Sequence, residues 1–456
     1  MEQLTAEQIQ ERWKPVLEHE ELPEIKDTYR KKVTGILLQN EKEHLAEQAI
    51  HEAPTNVTGG VDKYDPVLIS MVRRSVPAML AFDIFGVQPM KGPTGLVFAL
   101  RAQYGSQPKI GEDTTANEAQ FNEADSGYTG APRDPASPNT GSGTEYPSNM
   151  TPDTLNDQPT PASSNAKLTD PFHADFGYGV GMDTNLAEQL GEESDWAKMS
   201  FTIEKLSVEA KSRGLKSEYS VELAQDLKAI HGLSAEQELA SIMSIEVTNE
   251  MNREIIRRTY NMAVLGCQES DIGTPGIYDL DVDSNGRWSV ERFKGLMFQI
   301  EREANAIAIN TRRGKGNWII CSANVASALA MTGLLDTAGN TSVNPGNVDP
   351  VGNLFVGTMN GMIKVYVDPY VTIDMAVVGY KGANAYDAGA YFCPYVPLTL
   401  YKTTHSDSFQ PRLGFKTRYG ICANPFVRQF SGGSFNTGLE ARSNNYFRIF
   451  KIENLM

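Results

Sequence analysis

A long amphipathic helix, predicted to begin at Ser234, constrains the fold more than any other feature of the sequence. Ser234 and Gln237 have the spacing of a capping box, in which side-chain groups satisfy backbone donors of the first helical turn. Gly266 lies where a C′ glycine would end the helix, which would then be about 45 to 50 Å long. Between these ends, apolar residues repeat at helical spacing, at Leu239, Ile242, Met243, Val247, Met251 and Ile255.

The length of the chain predicts more than one packed unit. Its 456 residues exceed the roughly 250 to 300 residues at which a single core stops growing. No run of about 18 apolar residues occurs, so we expect no membrane span. The N-terminus is charged and lacks the apolar core of a secretory signal. We therefore expect a soluble protein that folds in the cytoplasm.

The net charge of −16 argues against a protein that wraps nucleic acid by itself. Phosphate binding requires a clustered basic surface. An acidic wall would suit a container that holds DNA without adhering to it, but many soluble proteins are also acidic. Charge alone does not decide between these interpretations.

The residues that usually carry catalysis or bind metals are scattered. The cysteines form no C-x-x-C pair, which predicts isolated buried thiols rather than a zinc site or disulfides. The six histidines lack metal-ligand spacing, and no G-x-S-x-G motif occurs. We therefore expect a structural protein without cofactors, although a catalytic site can be assembled from distant residues. The four cysteines are Cys267, Cys321, Cys393 and Cys422.

Asp281 to Gly286 resembles the first half of a calcium-binding loop. The twelfth position, which should hold a bidentate carboxylate, is Arg292, and Glu291 is one residue early. A turn that leads into a helix capped by Ser289 explains the same residues and is favoured.

Two glycine motifs and one basic cluster resemble functional sites only in part. The run Gly177 to Gly181 lacks the flanking strand and acidic residue of a dinucleotide site. Gly314-Lys315 is not a phosphate-binding loop, because Ile309 replaces the first glycine. The tightest basic cluster outside the N-terminal segment is Arg312, Arg313 and Lys315, for which intersubunit salt bridges are favoured over DNA contact.

The C-terminal half predicts a compact α+β unit. A second amphipathic helix is predicted from Ser289 to Thr311. Short runs rich in β-branched and aromatic residues predict strands at Trp318–Cys321, Ile363–Val367, Met375–Val378 and Tyr446–Ile452.

Two strands a hundred residues apart predict a long hairpin arm. A turn at Met90–Gly95 precedes a strand at Leu96–Ala102, and a matching strand begins at Phe201 and ends near Arg213-Gly214. Between them, from Tyr104 to Gly181, the composition falls to Gly, Pro, Ser, Thr, Asn and Asp, as in a disordered linker.

Residues 1–52 read as a separate helical segment. We predict that Pro15 and Pro23 break its first helix and that Gly35 breaks a second stretch from Ile25 to Ile50. The segment has 12 acidic and 7 basic residues, so its removal would change the net charge from −16 to −11. The next apolar stretch, Val67 to Phe85, is expected to be buried.

Three separated blocks resemble the major capsid proteins of T-even-type myoviruses, over most of the chain from about Ala53 onward. The blocks are MVRRSVPAMLAFDIFGVQPM (Met71–Met90), GYKGANAYDAGAYFCPYVPL (Gly379–Leu398) and PRLGFKTRYGICANPF (Pro411–Phe426). The resemblance implies the Hong Kong 97-type capsid fold, an α+β fold with no active site of its own.

The resemblance also implies a division of the chain. It gives residues 1–52 as a removable scaffold tether, 53–95 as an N-terminal arm and 96–214 as an extended loop that overlaps the adjacent subunit. That loop would carry an insertion at about 104–181, for which an ordered, loop-rich subdomain is favoured over disorder. Residues 215–275 and 431–456 would form the peripheral domain, with the long helix as its spine, and 276–430 the axial domain.

In this family a prohead protease cuts after a Leu/Ile-x-Glu triplet, and the triplet Ile50-His51-Glu52 precedes Ala53 here. A change from charged helical composition to a Pro/Asn/Thr/Gly stretch supports cleavage between Glu52 and Ala53. Rival triplets end at Glu11, Glu24 and Glu47, so the motif alone is weak evidence for cleavage after Glu52.

The resemblance implies a hexamer-forming shell subunit that encloses double-stranded DNA and is assembled in the host cytoplasm. Its expected partners are other copies of itself, scaffold and core proteins, the prohead protease, the vertex protein, the portal and decoration proteins. The DNA would be enclosed without specific binding. The alternatives are the pentameric vertex protein, an encapsulin-like compartment, which would not need a cleavage triplet, and a calcium- or glycan-binding module centred on the insertion.

Overall fold

The computed structural model describes residues 6–18, 25–51, 79–104, 184–188, 196–268, 272–336, 354–427 and 430–455, with short gaps inside these ranges, and the single residues 76 and 129. The predicted insertion at about 104–181 and the sequence around Glu52 and Ala53 lie almost wholly outside the described residues.

Helices and strands both contribute substantially to the described residues, which confirms the predicted α+β class. In chain order the helices are α1 (Ala6–Leu17), α2 (Thr28–His51), α3 (Ala81–Ile84), α4 (Thr184–Glu188), α5 (Val221–His231), α6 (Ala235–Met262), α7 (Ser289–Thr311) and α8 (Ala323–Met331). The strands are β1 (Gly86–Val87), β2 (Thr94–Tyr104), β3 (Met199–Glu209), β4 (Lys211–Glu218), β5 (Ala263–Leu265), β6 (Ile277–Asp279), β7 (Trp318–Cys321), β8 (Leu335–Asp336), β9 (Leu354–Met359), β10 (Ile363–Val367), β11 (Met375–Gly379), β12 (Ala390–Thr404), β13 (Pro411–Ala423), β14 (Phe430–Ser431), β15 (Ser434–Phe435) and β16 (Asn444–Glu453).

An eight-stranded sheet forms one unit of the molecule. Its strands run in the order β5-β16-β11-β7-β10-β9-β8, and β6 pairs with β16 outside this path. The apolar stripe of α7 packs into one core with side chains of this sheet, including Leu296, Ile300, Ile319 and Val365. The strands predicted at 318–321, 363–367, 375–378 and 446–452 are thereby confirmed.

A four-stranded sheet in the order β1-β12-β13-β4 forms a second unit. Its β12 and β13 make a long antiparallel hairpin, and residues from both strands share a core with the inner face of α6. Strand β16 belongs to the sheet of β7 and β10, whereas β12 and β13 pair outside that sheet.

The long helix α6 is confirmed with its predicted start, but its predicted C-terminal end and one of its core positions are wrong. It stops at Met262, and Ala263 already has extended backbone. Gly266 is required for a different reason, because a Cβ at that position would lie 2.9 Å from the buried carboxylate of Glu303. Ser234 is the N-cap residue without a side-chain cap bond, and Ile242 is exposed rather than buried.

Helix α7 has the predicted bounds, but Ser289 is not its cap. Trp288 is the N-cap residue, and its backbone N–H donates to the carboxylate of Glu291 at 3.4 Å. The helix ends at Arg312, which has left-handed backbone with φ +54°.

The predicted breaks in the N-terminal helices are also wrong. Pro15 lies inside α1, and α2 continues through Gly35. Packing between the two helices offsets the cost of these residues, because Ile9, Trp13 and Leu17 are buried in the core that they share with α2. Pro23 lies outside the described residues.

Candidate assembly surfaces

The loop that resembles a calcium site is satisfied by protein groups. Asp281 forms an ion pair with Arg292, the residue at the twelfth position. The Asp283 carboxylate accepts hydrogen bonds from the backbone N–H groups of Gly273, at 3.2 Å, and Asp279, at 3.0 Å. Among the described residues no three His, Cys, Asp or Glu side chains are grouped closely enough to hold a metal ion.

Two members of the basic cluster beyond α7 are paired within their own chain, and the predicted intersubunit bridges stay a prediction. Lys315 forms an ion pair with Glu301, and Arg313 lies 3.9 Å from Asp387. Arg312 is exposed at the helix end.

The four cysteines are buried and free, as predicted. Burial raises the pKa of the Cys321 thiol to about 12, so this side chain remains a neutral, unreactive thiol. None of the described helices combines the length and the apolar character needed to cross a bilayer.

The predicted hairpin arm is confirmed. Strands β2 and β3 pair antiparallel over their full lengths, from Thr94 opposite Glu209 to Tyr104 opposite Met199. The strand is continued beyond Gly214 by β4, which ends at Glu218 and pairs with β13. The second strand of the hairpin, β3, is therefore followed directly by β4, an edge strand of the four-stranded sheet.

One face of this hairpin is apolar and exposed. Because side chains alternate between the two faces of a strand, one set of cross-strand partners shares this face. We call it the hairpin face, and its exposed apolar members are Leu96, Phe98, Leu100, Phe201 and Ile203, each between 57% and 64% exposed. The opposite face of the hairpin packs on the body of the chain, where Val97 and Val208 are buried in one cluster with Tyr391 and Cys422.

Helix α5 is a second element with little support from the body. These residues were predicted to belong to the peripheral domain, without a helix, although Ser220 and Gly232 were available as helix-end signals. The Ser220 hydroxyl accepts from the backbone N–H of Leu223 at 3.2 Å, and Gly232 ends the helix in left-handed backbone with φ +68°. No residue of α5 is buried.

A half-buried carboxylate ties α6 to the four-stranded sheet. Glu254 of α6 accepts from Tyr419 of β13 at 2.6 Å, and it also pairs with Arg213 of β4 and with Arg258, at 2.7 Å. Burial raises the pKa of Glu254, but the hydrogen bonds from these groups outweigh it and hold the pKa below its usual range. The residue is thus an anchor between elements and has no free oxygen to offer a substrate.

The N-terminal helices dock on the body of their own chain. Asn40 of α2 donates to the carbonyl oxygens of Met90, at 2.9 Å, and Tyr395, at 3.0 Å, and Arg30 pairs with Asp83 at 2.9 Å. Tyr29 donates to the carbonyl oxygen of Val87. We call this set of contacts the α2 seat.

Glu41, within the α2 seat, is buried, and the described residues offer neither of its oxygens a hydrogen-bond partner. Burial raises its pKa to about 8, so the carboxyl group is mostly neutral when α2 is docked at neutral pH. Of the predicted cleavage residues, Ile50 and His51 are the last two residues of α2, and Glu52 and Ala53 lie beyond the described part of the chain.

The hairpin face and helix α5 both expose apolar side chains. The N-terminal helix pair docks on the body of its own chain, and the charges described above are paired internally. These features are typical of a subunit built to assemble with other copies. The comparisons with known proteins agree. The family model of the Major capsid protein Gp23 matches residues 61–452, so the chain belongs to this family.

Two relatives match almost the whole chain. The Major capsid protein of Salmonella phage ViI is 41% identical over 99% of each chain. The Major capsid protein of Enterobacteria phage T4 is 37% identical over 93% of this chain and 92% of its own. The protein is therefore a structural component of a virion and not an enzyme.

More distant matches are weaker. The Capsid vertex protein of Enterobacteria phage T4 is 26% identical over only 52% of this chain and 55% of its own. The solved structure "The capsid of Myoviridae Phage XM1" covers 88% of this chain and 97% of its own at 9% identity, with a TM-score of 0.36.

Proposed function

We propose that the chain is the hexamer-forming subunit of an icosahedral or prolate phage head that encloses double-stranded DNA. The observation that carries the proposal is the 41% identity to a major capsid protein over 99% of both chains. Assembly would take place in the host cytoplasm. The partners would be other copies of the chain, scaffold and core proteins, the prohead protease, the vertex protein, the portal and decoration proteins.

The fold supports a subunit whose stability is completed by its neighbours. The hairpin face would overlap an adjacent subunit, and residues 53–95 would form the N-terminal arm. Residues 215–275 and 431–456 would form the peripheral domain, with α6 as its spine, and residues 276–430 the axial domain.

Maturation by the prohead protease, with cleavage after Glu52, is the second part of the proposal. Ile50 and His51 end a helix, so the scissile bond follows directly after regular structure. A protease can cut only chain that it can extend, which is least costly at the end of an element. Removal of residues 1–52 would also take away every contact of the α2 seat.

The proposal is tested by the intact mass of the chain in sedimented particles from infected cells. A particle on the megadalton scale whose subunit begins at Ala53 is the expected result. Particles whose subunit begins at Met1 would refute the cleavage and leave the shell intact as a function. A chain that stays in a small soluble species would refute the shell itself.

Two of the alternatives, the vertex protein and the calcium- or glycan-binding module, have less support. The vertex relative matches only about half of the chain. The proposed calcium loop has an arginine paired to its first aspartate, so calcium would have to displace an internal cation. Titration calorimetry with calcium and simple glycans is expected to show no heat of binding.

A further inference from the structure

Two buried thiols meet between the central strands of the four-stranded sheet. Cys393 lies on β12 and Cys422 on β13, and the two residues are only 2% and 4% exposed. They belong to one apolar cluster, and their thiols are hydrogen-bonded to each other. The other two cysteines, Cys267 and Cys321, pack in the core of the eight-stranded sheet. Cys393 and Cys422 therefore form a pair that is separate from the remaining thiols.

The register of the two strands explains how the thiols meet. Cys422 is opposite Tyr391, and Cys393 is opposite Gly420, so the thiols occupy diagonal positions on one face of the sheet. Diagonal neighbours are about 7 to 8 Å apart, within reach of side chains that lean towards each other. Because Gly420 has no side chain, β13 places nothing opposite Cys393 that would block the approach of Cys422.

A shift of register next to Cys393 favours this approach. The pairing of β12 with β13 becomes irregular between Pro394 and Val396. An irregularity of this kind bends the strand and increases its local twist. A disulfide requires Cα atoms within about 7 Å of each other. Added twist shortens one diagonal between neighbouring strands, in agreement with the hydrogen bond between the two thiols.

The pair is covered by other elements of the chain. Val208 of the hairpin packs in the same cluster, and so does Met90, whose carbonyl oxygen accepts from Asn40 of α2 at 2.9 Å. The hydrogen bond with Cys393 and burial both raise the pKa of Cys422. This thiol is therefore neutral while it is covered, and only a thiolate is nucleophilic. The pair reacts when one of its covers moves aside.

We propose that Cys393 and Cys422 are a redox-active pair, which closes into a disulfide between β12 and β13 in oxidising surroundings. Disulfides form and persist on virion surfaces but are rare in the cytosol. The chain belongs to a family of virion proteins. The inference goes beyond the shell function, and only its timing rests on the proposed assembly in the host cytoplasm, where the pair would stay reduced.

The oxidant is a small-molecule disulfide, for which oxidised glutathione is the probe. The thiolate of one cysteine attacks a sulfur atom of the reagent, breaks its S–S bond and releases one glutathione thiolate. The second cysteine then attacks the mixed disulfide and releases the second glutathione thiolate. The two protons lost by the cysteines pass to these thiolates. Two cysteines are thus oxidised to one disulfide, and one molecule of the reagent is reduced to two thiols.

The bond would stabilise a part of the subunit on which other elements depend. It would join positions that are 29 residues apart and so restrict the conformations of the unfolded chain. On the opposite face of the same strands, Phe392 and Tyr419 belong to the core that includes α6. Oxidation is therefore expected to raise the temperature at which this region unfolds.

The bond is tested on sedimented particles of the full chain. They are incubated with oxidised glutathione, denatured in N-ethylmaleimide to block the remaining thiols, and mapped by mass spectrometry. We expect the peptide of Cys393 to be joined to that of Cys422, in a chain that migrates as a monomer without reductant. Cys267 and Cys321 are internal controls and should be recovered as alkylated thiols.

The same measurement is made on the soluble chain, because the pair lies within one subunit. A chain that forms no particles would refute the shell function, and the thiol mapping would still decide on the disulfide. The two proposals can thus fail separately.

Two matched variants show whether the pair itself is responsible. Cys393→Ala removes one partner and is expected to give no cross-linked peptide. Cys321→Ala changes a buried thiol outside the pair and should leave the cross-link unchanged. Oxidised particles should unfold at a higher temperature than particles kept in dithiothreitol, and this difference should be absent in Cys393→Ala.

Three results would overturn the proposal. Recovery of Cys393 and Cys422 as alkylated thiols, or with a separate glutathione on each, would show that they do not reach bonding geometry. Covalent dimers would place the bond between subunits. An equal rise in unfolding temperature on oxidation of Cys393→Ala would assign the stabilisation to another group.

Discussion

Arg253 of α6 donates a 2.6 Å hydrogen bond to Asp368, the residue that directly follows β10, and so joins the long helix to the eight-stranded sheet. Tyr260 of the same helix donates to the same carboxylate oxygen at 2.7 Å. Asp368 is only 1% exposed, whereas Arg253 also lies 5.1 Å over the ring of Tyr370. Two turns of α6 are thus fixed to one buried anion.

We predict that Asp368→Ala destabilises the subunit by about 3 kcal/mol, because Arg253 and Tyr260 each lose a hydrogen bond to the buried carboxylate, worth about 1.5 kcal/mol or more apiece. The free energy of unfolding in urea measures this. Glu453→Ala removes an exposed ion pair with Lys451 and serves as the control, with an expected loss below about 1 kcal/mol. Equal losses in the two variants would contradict the role given to Asp368.

We predict that Gly266→Ala destabilises the subunit by about 1 to 3 kcal/mol. The new methyl group would lie 2.9 Å from the Glu303 carboxylate, which pairs at 2.9 Å with the buried Arg448 and cannot move away freely. Thermal unfolding measures the change. Gly214→Ala is the matched control, since its nearest contact would be an ordinary 3.5 Å from the Phe415 carbonyl oxygen. A smaller effect at Gly266 than at Gly214 would exclude this explanation.

We predict that α2 leaves its seat more readily as the pH rises from about 4.5 to about 8. Burial raises the pKa of Glu41 from 4.5 to about 8, so the docked state holds a proton that the undocked state releases. The stabilisation of the docked state is complete below the undocked pKa of Glu41 and is lost as the pH rises through the docked pKa. Between these two pKa values the docking equilibrium constant falls by up to about tenfold per pH unit. Hydrogen exchange of the α2 amides measures this.

Glu41→Gln removes the ionisable group and is expected to abolish the pH dependence in that window. Glu43→Gln, at an exposed position on the same helix, should preserve it. Protection of α2 that stays constant with pH in the unsubstituted chain would contradict the prediction. Lys381 donates to the carbonyl oxygen of Phe82, near the Arg30–Asp83 pair of the α2 seat. It contributes little to the pH dependence of docking, because burial lowers its pKa only to about 8 and it stays mostly protonated below that pH.

We predict that Glu52→Gln prevents trimming, so that particles retain a subunit that begins at Met1. The recognition triplet requires the acidic side chain at this position. Mass spectrometry of sedimented particles measures the result. Glu47→Gln changes the nearest rival triplet and should leave trimming at Ala53 unaffected. Loss of trimming in the Glu47 variant alone would move the cleavage site to that triplet.

Periodicity predicted the long elements well, because their apolar stripes are encoded locally. Helix α7 has its predicted bounds, and the strands around Ile320, Val365 and Val377 are where β-branched runs placed them. The hairpin of β2 and β3 was also found, since its two strands have the same alternation.

The failures have a common physical cause, which is contact between distant parts of the chain. Gly266 was taken for a helix cap, although its small size is required by Glu303, 37 residues later. Gly35 and Pro15 were taken for breaks, although packing between α1 and α2 outweighs their local cost. Helix α5 was missed because it has no buried side, and the assembly surfaces depend on exposure, which a sequence does not show.

Gly232, in the connection between α5 and α6, has left-handed backbone, and a Cβ added at this position would meet no other part of the chain within 4 Å. A glycine in open space can change its backbone angles with little steric cost, so it can act as a pivot between the two helices. If α5 contacts a neighbouring subunit of the proposed shell, that contact can be kept while the angle between the two subunits changes. Chemically identical chains could then occupy quasi-equivalent positions, flat in the middle of a facet and bent near its edge, without forming a different interface for each.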